Sequence, residues 1–357
     1  MFERSEMKAL VLTEFKKNLE VLEMPDPALG STRDVIVRVE ANGICRSDWH
    51  LWMGDWDWIG LKLELPHIMG HEFAGVIEAV GSDVNRYKVG DRVLVPHAHG
   101  DGVCEYCLNG QQNVCEHVTF AGTNYWGGYG RYVNVPDGDR NLIRLPENVS
   151  FEAAAGLGCR FMTAFHGVVD QVAVRPGEWV SVHGCGGVGL SAIHIAAASG
   201  AQVIAVDINE EALALAKGLG AVATVNAKDG DVVEQIRELT SGGVHVAVDA
   251  LGIAATCQAA VNSLRKRGRM LQVGMTSNAE AGMIPLPIDS IVLQELRIIG
   301  SANMPVGRYP DMMRMVESGT LNPGELITNR VGIEEAGDVL MSMGEYRGAG
   351  VSVLNRW

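Results

Sequence analysis

One stretch limits the possible folds more than any other: "EWVSVHGCGGVGLSAIHIAAASG", Glu178–Gly200. A short β-branched run meets Gly184-x-Gly186-x-x-Gly189 and passes into a segment of helical composition. In a strand–turn–helix context each glycine has a task. The first permits a tight turn, the second lets backbone approach a pyrophosphate, and the third packs helix against strand. Gly187 and Val188 complete the loop, and the following helix turns its N-terminus toward the phosphates. The next apolar run, "AQVIAVD", ends in Asp207 at about the 20-residue spacing this fingerprint requires. A carboxylate there accepts hydrogen bonds from ribose hydroxyls and repels a 2′-phosphate. Ile208 and Asn209 follow and bring no arginine, so the pattern favours NAD over NADP.

Strand-like and helix-like segments alternate from Glu178 onward, which predicts an α/β, doubly wound parallel sheet. "NEEALALAKGLG" reads as a helix with Asn209 as N-cap and Gly220 as its stop. "ATCQAAVNSLRKRGR" follows as a helical stretch and "MLQVGM" as a strand. The chain before about residue 150 is different. "KALVLTEF", "DVIVRVEANG", "FAGVIEAVG" and "DRVLVP" are short apolar runs ended by Gly, Pro or Asp, the pattern of a β domain. Beyond about Asn303, one helix is expected around "YPDMMRMVESG", and the rest reads as mixed structure.

The 357 residues carry a formal net charge of −14. An acidic surface argues against nucleic acid or an anionic membrane as partner. No apolar run approaches 18 residues, and the charged N-terminus lacks a signal peptide's apolar core, so a cytoplasmic protein is expected. Seven cysteines in such a chain favour metal or catalysis over disulfides.

Three motifs each hold a zinc-type ligand: "GICRSDWH" with Cys45, "GHEFAG" with His71, and "GLGCRFMTAFHG" with Cys159. Catalytic zinc needs three protein ligands and an open position, and two Cys with one His is one such set. Together with the dinucleotide fingerprint, these motifs resemble those of zinc-dependent alcohol dehydrogenases of the medium-chain dehydrogenase/reductase superfamily. The resemblance spans essentially the whole chain, and "GHExxG" is a hallmark of the superfamily's zinc-binding members.

The resemblance implies a GroES-like catalytic domain over residues 1–159 and a Rossmann NAD-binding domain over 160–301. Residues 302–357 then return to the catalytic domain. It makes Cys45, His71 and Cys159 ligands of a catalytic zinc, with Glu72 the neighbouring carboxylate and Asp48 the partner that fixes the His71 tautomer. Zinc would lower the pKa of an alcohol, hydride would pass to the nicotinamide, and the proton would leave through Ser47 and His50. Arg46 stands where some relatives place a cation on the pyrophosphate. Thr163 is expected against the nicotinamide, and the Val273–Met275 segment against its carboxamide. Arg347 is close to a basic position of relatives but out of register.

Four tryptophans, Trp49, Trp52, Trp56 and Trp58, cluster in one loop region. By the resemblance, Trp56, His97 and Trp126 line the substrate pocket, which suits a hydrophobic or aryl alcohol or ketone with a polar substituent. A small-molecule alcohol, aldehyde or ketone is the expected partner, and a homodimer or homotetramer the expected assembly. The alternatives are a polyol dehydrogenase of the same superfamily, a zinc-free reductase of this fold, or a non-enzymatic structural or redox-sensing protein.

A further cluster, "HGDGVCEYCLNGQQNVC", lies in a lobe at about residues 97–116. Relatives carry Cys-x2-Cys-x2-Cys-x7-Cys there. Here the register reads Asp101, Cys104, Cys107, Cys115. Carboxylate oxygen is an accepted zinc ligand, so a structural zinc held by Cys3Asp is expected. The other readings are a lobe ordered by packing alone, or one in which His97 or His99 substitutes.

Overall fold

The computed structural model describes residues 6–345 and 348–357. Arg347 lies outside the described residues. The chain divides into two units. One comprises the residues through Cys159 and those from Asn303 onward, except Gly348–Gly350; the other runs Arg160–Ala302 with Gly348–Gly350.

The second unit is built on a six-stranded parallel sheet. Its spatial order is Ala221–Asn226, Gln202–Asp207, Trp179–His183, Val244–Asp249, Leu264–Gln272, Arg297–Gly300. The first strand in sequence, Trp179–His183, is therefore central. Val180, Ser181, Val182 and His183 are all buried, as expected of a parallel strand covered on both faces. The helix Gly187–Ala198 follows it directly, with Gly186 as N-cap. Asn209 caps Glu210–Gly218, its side-chain oxygen accepting from the N–H groups of Glu211 and Ala212 at 2.9 and 3.3 Å. One boundary differs from the sequence reading. The helix Ala254–Ser263 stops early, and "LRKRGR" opens the strand Leu264–Gln272 instead of ending the helix. Leu264 pairs with Val244, the register then shifts, and regular pairing resumes at Arg269 opposite Val246. That irregular start hides the strand from a periodicity reading.

The first unit holds a seven-stranded sheet with the long strand Val35–Ile44 at its centre. Three strands pair with it, all antiparallel: Glu72–Val80, Tyr132–Val135 and the C-terminal Val351–Arg356. The tail left as mixed structure thus holds the parallel strands Ile327–Gly332 and Val351–Arg356, with the helix Ile333–Ser342 between them in sequence. Register does functional work here. Gly43 pairs with Glu72, which brings the chain at Cys45 beside the chain at His71. No helix of the described residues is long and apolar enough to cross a membrane.

The third fingerprint glycine can be tested by stability. A Cβ at Gly189 would lie 1.7 Å from the Gly184 carbonyl oxygen, a backbone atom that cannot rotate away. Gly189→Ala should cost about 3 kcal/mol in urea unfolding, at the upper end of overpacking effects. An unchanged midpoint would contradict this packing.

Candidate metal centre and nucleotide loop

Cys45 ends the strand-to-helix turn before the helix Arg46–Met53. His71 and Glu72 sit where "GHEFAG" enters the strand Glu72–Val80. Two glycines of that motif are sterically required. Gly70 has φ +90°, and a Cβ on it would lie 2.7 Å from the Tyr129 backbone nitrogen. A Cβ on Gly75 would lie 2.0 Å from the Arg38 carbonyl oxygen of the neighbouring strand. Cys159 lies in a π-turn, Leu157–Phe161, and Gly158 lets that turn close onto Glu72, whose Cα would be 3.1 Å from an added Cβ.

These elements bring one ligating atom each from Cys45, His71, Glu72 and Cys159 within 4.8 Å of one another. His71 is 1% exposed and Glu72 fully buried. Nδ1 of His71 donates to Asp48 Oδ1 at 2.9 Å, whereas its buried Nε2 has no hydrogen-bond partner. An orphaned buried acceptor among two sulfurs and a carboxylate is costly unless a cation completes it. The donor set therefore fits zinc. Burial opposes a proton on His71, but Asp48 and Cys45 outweigh it and hold the imidazole pKa well above its usual value, so the cluster attracts positive charge. Ser47 Oγ lies 3.7 Å from Cys45 Sγ.

Asp101, Cys104, Cys107 and Cys115 also converge within 4.8 Å. No cysteine is in a disulfide, and Sγ of Cys104 and Cys115 stand 3.6 Å apart. A tetrahedral zinc with sulfur at about 2.3 Å spaces its sulfurs about 3.8 Å apart. Backbone N–H groups of Asp101 and His117 point at Cys115 Sγ, both at 3.3 Å, and that of Cys107 at Cys104 Sγ at 3.5 Å. Such donors favour thiolates; the Cys107 N–H is the largest influence lowering the Cys104 thiol pKa. His99 is held by the Pro96 carbonyl and Tyr125, and His97 by Asn303, so neither belongs to this cluster.

In the parallel-sheet unit, Gly184, Gly186, Gly187, Val188 and Gly189 occupy the turn between the central strand and its helix. Asp207 ends the adjacent strand. Its Oδ2 accepts from Cys185 N–H at 2.6 Å, and its Oδ1 from the N–H groups of Ile208 and Asn209 at 2.7 and 2.9 Å. The carboxylate is thus fixed beside the glycine loop.

Two family models match the chain, an alcohol dehydrogenase GroES-like domain over residues 31–147 and a zinc-binding dehydrogenase over residues 187–318. An alcohol dehydrogenase of Geobacillus stearothermophilus is 38% identical over 94% of this chain and 96% of its own. An NAD-dependent alcohol dehydrogenase of Sulfurisphaera tokodaii is 34% identical over 98% of this chain and 99% of its own. The solved alcohol dehydrogenase of Thermus sp. ATN1 superposes with a TM-score of 0.90 at 31% identity, covering 98% of this chain and all of that one. The chain belongs to the zinc-dependent alcohol dehydrogenases of the medium-chain dehydrogenase/reductase superfamily.

The remaining candidate residues of this zinc-dependent dehydrogenase are placed as follows. The Arg46 guanidinium donates to the Met343 carbonyl and lies 4.5 Å over the Trp49 ring. Thr163 lies in the helix Met162–Phe165, with Oγ1 3.7 Å from Met162 Sδ. Val273 donates its N–H to the Asp249 carbonyl just past the end of its strand, and Met275 is exposed. Trp56 is 7% exposed, part of an apolar core, and stacks on His50 at 4.8 Å and 18°. Trp126 packs partly buried against the same core. His97 lies 4.6 Å from His71 and stacks on Phe120 at 4.8 Å. Its Nδ1 is 3.0 Å from Asn303 Oδ1, and burial lowers its pKa to about 3.

Sequence reasoning missed four participants. Asp55 bonds His50, Asn303 bonds His97, His117 bonds Asp101, and Arg160 lies against Gly187 of the nucleotide loop. Asn303 and Arg160 left no local signal; Asp55 follows His50 across a glycine turn that a closer reading of "HLWMGDW" offers.

Asp48→Asn keeps the volume but removes the charge that orients His71. Zinc affinity at the centre should fall about 10–100-fold, the usual effect of losing such a partner. Zinc retained against a graded chelator series measures this, and full retention would contradict the role.

Proposed function

We propose that the protein is an NAD-dependent alcohol dehydrogenase with one catalytic and one structural zinc per chain. The observation that carries the reading is the buried, orphaned His71 Nε2 among Cys45, Glu72 and Cys159. The Rossmann unit, residues 160–301, would bind NAD through its glycine loop and Asp207, with Arg46, Thr163, Val273 and Met275 as further contacts. Residues 1–159 and 302–357 would hold the alcohol. When bound, zinc supplies Lewis-acid polarisation of the substrate oxygen and NAD supplies the hydride acceptor.

The chain's own groups do the rest. Oxidation of an alcohol to an aldehyde or ketone releases one hydride and one proton, so the proton needs an exit. Ser47, beside Cys45, takes the substrate's hydroxyl proton, and His50 is the outward acceptor. Asp48 holds His71 in the tautomer that leaves Nε2 free for metal. Glu72 supplies a carboxylate when ligands exchange. His97, kept neutral by burial and stacked on Phe120, would present an imidazole to the substrate, with Trp56 and Trp126 as aromatic walls of the same pocket. That lining favours hydrophobic or aryl alcohols bearing one polar substituent.

Assembly into a dimer or tetramer through the Rossmann unit is supported by the exposed Met283, Ile288, Val292 and Leu293 in the segment before its edge strand Arg297–Gly300. Mass by light scattering tests it; a monomer would remove this part of the proposal. Cytoplasmic location agrees with the free cysteines.

The purified protein should hold two zinc ions and reduce NAD with aryl and longer aliphatic alcohols. Turnover of polyols alone would favour the polyol reading, and no turnover with any alcohol the non-enzymatic one. Asp101→Ala should release one zinc and lower the melting temperature by several degrees, as expected when a structural metal is lost. A single zinc in the parent protein, with neither metal content nor stability changed by Asp101→Ala, would remove the structural site.

A further inference from the structure

His50 is held more firmly than an outward proton acceptor needs to be. Its Nδ1 lies 2.7 Å from Asp55 Oδ2, and both side chains are mostly buried, at 16% and 17% exposure. A carboxylate only accepts, so Nδ1 carries the hydrogen. The ring is stacked on Trp56 at 18° and meets the edge of Trp49 at 80° and 5.1 Å. The backbone repeats the link, Asp55 N–H donating to the His50 carbonyl at 2.9 Å, across a helix end capped by left-handed Gly54. Among the described residues no side chain or backbone group is shown bonding Nε2.

We propose that Asp55 is a positioning residue for proton release. It fixes His50 as the Nδ1–H tautomer, clamped between Trp49 and Trp56, so that the basic lone pair on Nε2 faces outward to receive the proton. The inference rests on the relay reading above. It also changes the work of Trp56, which becomes a plate for the imidazole as well as a wall of the pocket.

The proton balance is simple. His50 gains one proton at Nε2 as the alcohol loses it, Nδ1–H stays on Asp55, and water later takes the proton from Nε2. Three groups act on that equilibrium besides burial, which is the largest influence and lowers the His50 pKa. Asp55 raises it, Arg46 lowers it, and Cys45 raises it. Removing the Asp55 charge therefore makes His50 a weaker base.

The test is the pH profile of kcat/KM for alcohol oxidation in the zinc-loaded enzyme, for Asp55→Asn, Asp55→Glu, His50→Gln and the His50→Gln/Asp55→Asn pair. Asp55→Asn should lower the plateau about tenfold, less than the roughly 10²–10⁴-fold of full acid–base assistance because Asp55 acts only through His50, and move the acid limb to lower pH. Asp55→Glu should restore part of the loss. The double variant should be no worse than His50→Gln alone, because Asp55 acts through His50. Zinc content and melting temperature, unchanged, exclude a folding defect. If His50→Gln loses activity and Asp55→Asn keeps the parent profile, the Asp55 role is wrong. If His50→Gln itself keeps the parent profile, the relay reading fails first and the Asp55 role with it.

Discussion

The first unit depends on one buried carboxylate. Asp48 is fully buried and accepts four hydrogen bonds, two on each oxygen. Oδ1 takes Gly70 N–H at 3.3 Å and His71 Nδ1 at 2.9 Å; Oδ2 takes Cys45 N–H at 3.3 Å and the Tyr129 hydroxyl at 3.0 Å. A carboxylate offers about four lone-pair sites, so all are used. An isolated buried charge would be expensive, and here the four donors come from three separate stretches of chain that must all arrive for the charge to be tolerated. Burial and Asp48 both keep Tyr129 protonated, so it remains a donor. The same carboxylate thus ties the helix start at Cys45 to the "GHE" turn and to the Tyr129 loop. Metal-site geometry and local folding are one constraint.

How far the sequence reached follows from the range of each interaction. The glycine loop and its flanking strands were legible because strand, turn and helix are contiguous, and Asp207 lies one strand away. The lobe was legible because Asp101, Cys104, Cys107 and Cys115 meet within a short segment. Asn303 was not, since it reaches His97 from 206 residues away with nothing periodic to mark it. The start of Leu264–Gln272 was hidden for another reason. Its "LRKRGR" is charged, and its Arg267 takes φ +62°, so neither alternation nor β propensity reports it. The tail needed the resemblance, because its strand Val351–Arg356 is defined by a partner, Val35–Ile44, at the far end of the chain.

Asp101 shows why a carboxylate suits its lobe. Its Oδ1 accepts from the N–H groups of Val103 and Cys104 at 2.8 and 3.0 Å, closing the turn into the helix Glu105–Leu108. These bonds, led by Cys104 N–H, hold its pKa far below the usual carboxylate range. Cys104 and Cys115 accept backbone N–H bonds through the same sulfur that faces the cluster, whereas Asp101 divides its bonds between two oxygens. The second oxygen also bonds His117 Nδ1 at 2.9 Å. The harder donor is a weaker partner for zinc than sulfur, but it brings the turn with it.

Three of the four histidine–aspartate pairs among the described residues have nearly equal lengths yet differ in their effect, and exposure and neighbouring charge set the difference. At 2.9 Å with both side chains buried, Asp48 together with Cys45 overrides desolvation and raises the His71 pKa. At 2.7 Å and about one-sixth exposure, Asp55 only moderates a His50 pKa that burial lowers and Arg46 lowers further. At 2.9 Å with His117 76% exposed, the pair raises the His117 pKa, yet water and salt screen it, so its use is local orientation of Asp101 rather than stability. The contact distance is similar in all three. What differs is how much water competes for the charge and which charges stand nearby, and both are set by the fold around each pair rather than by the pair itself.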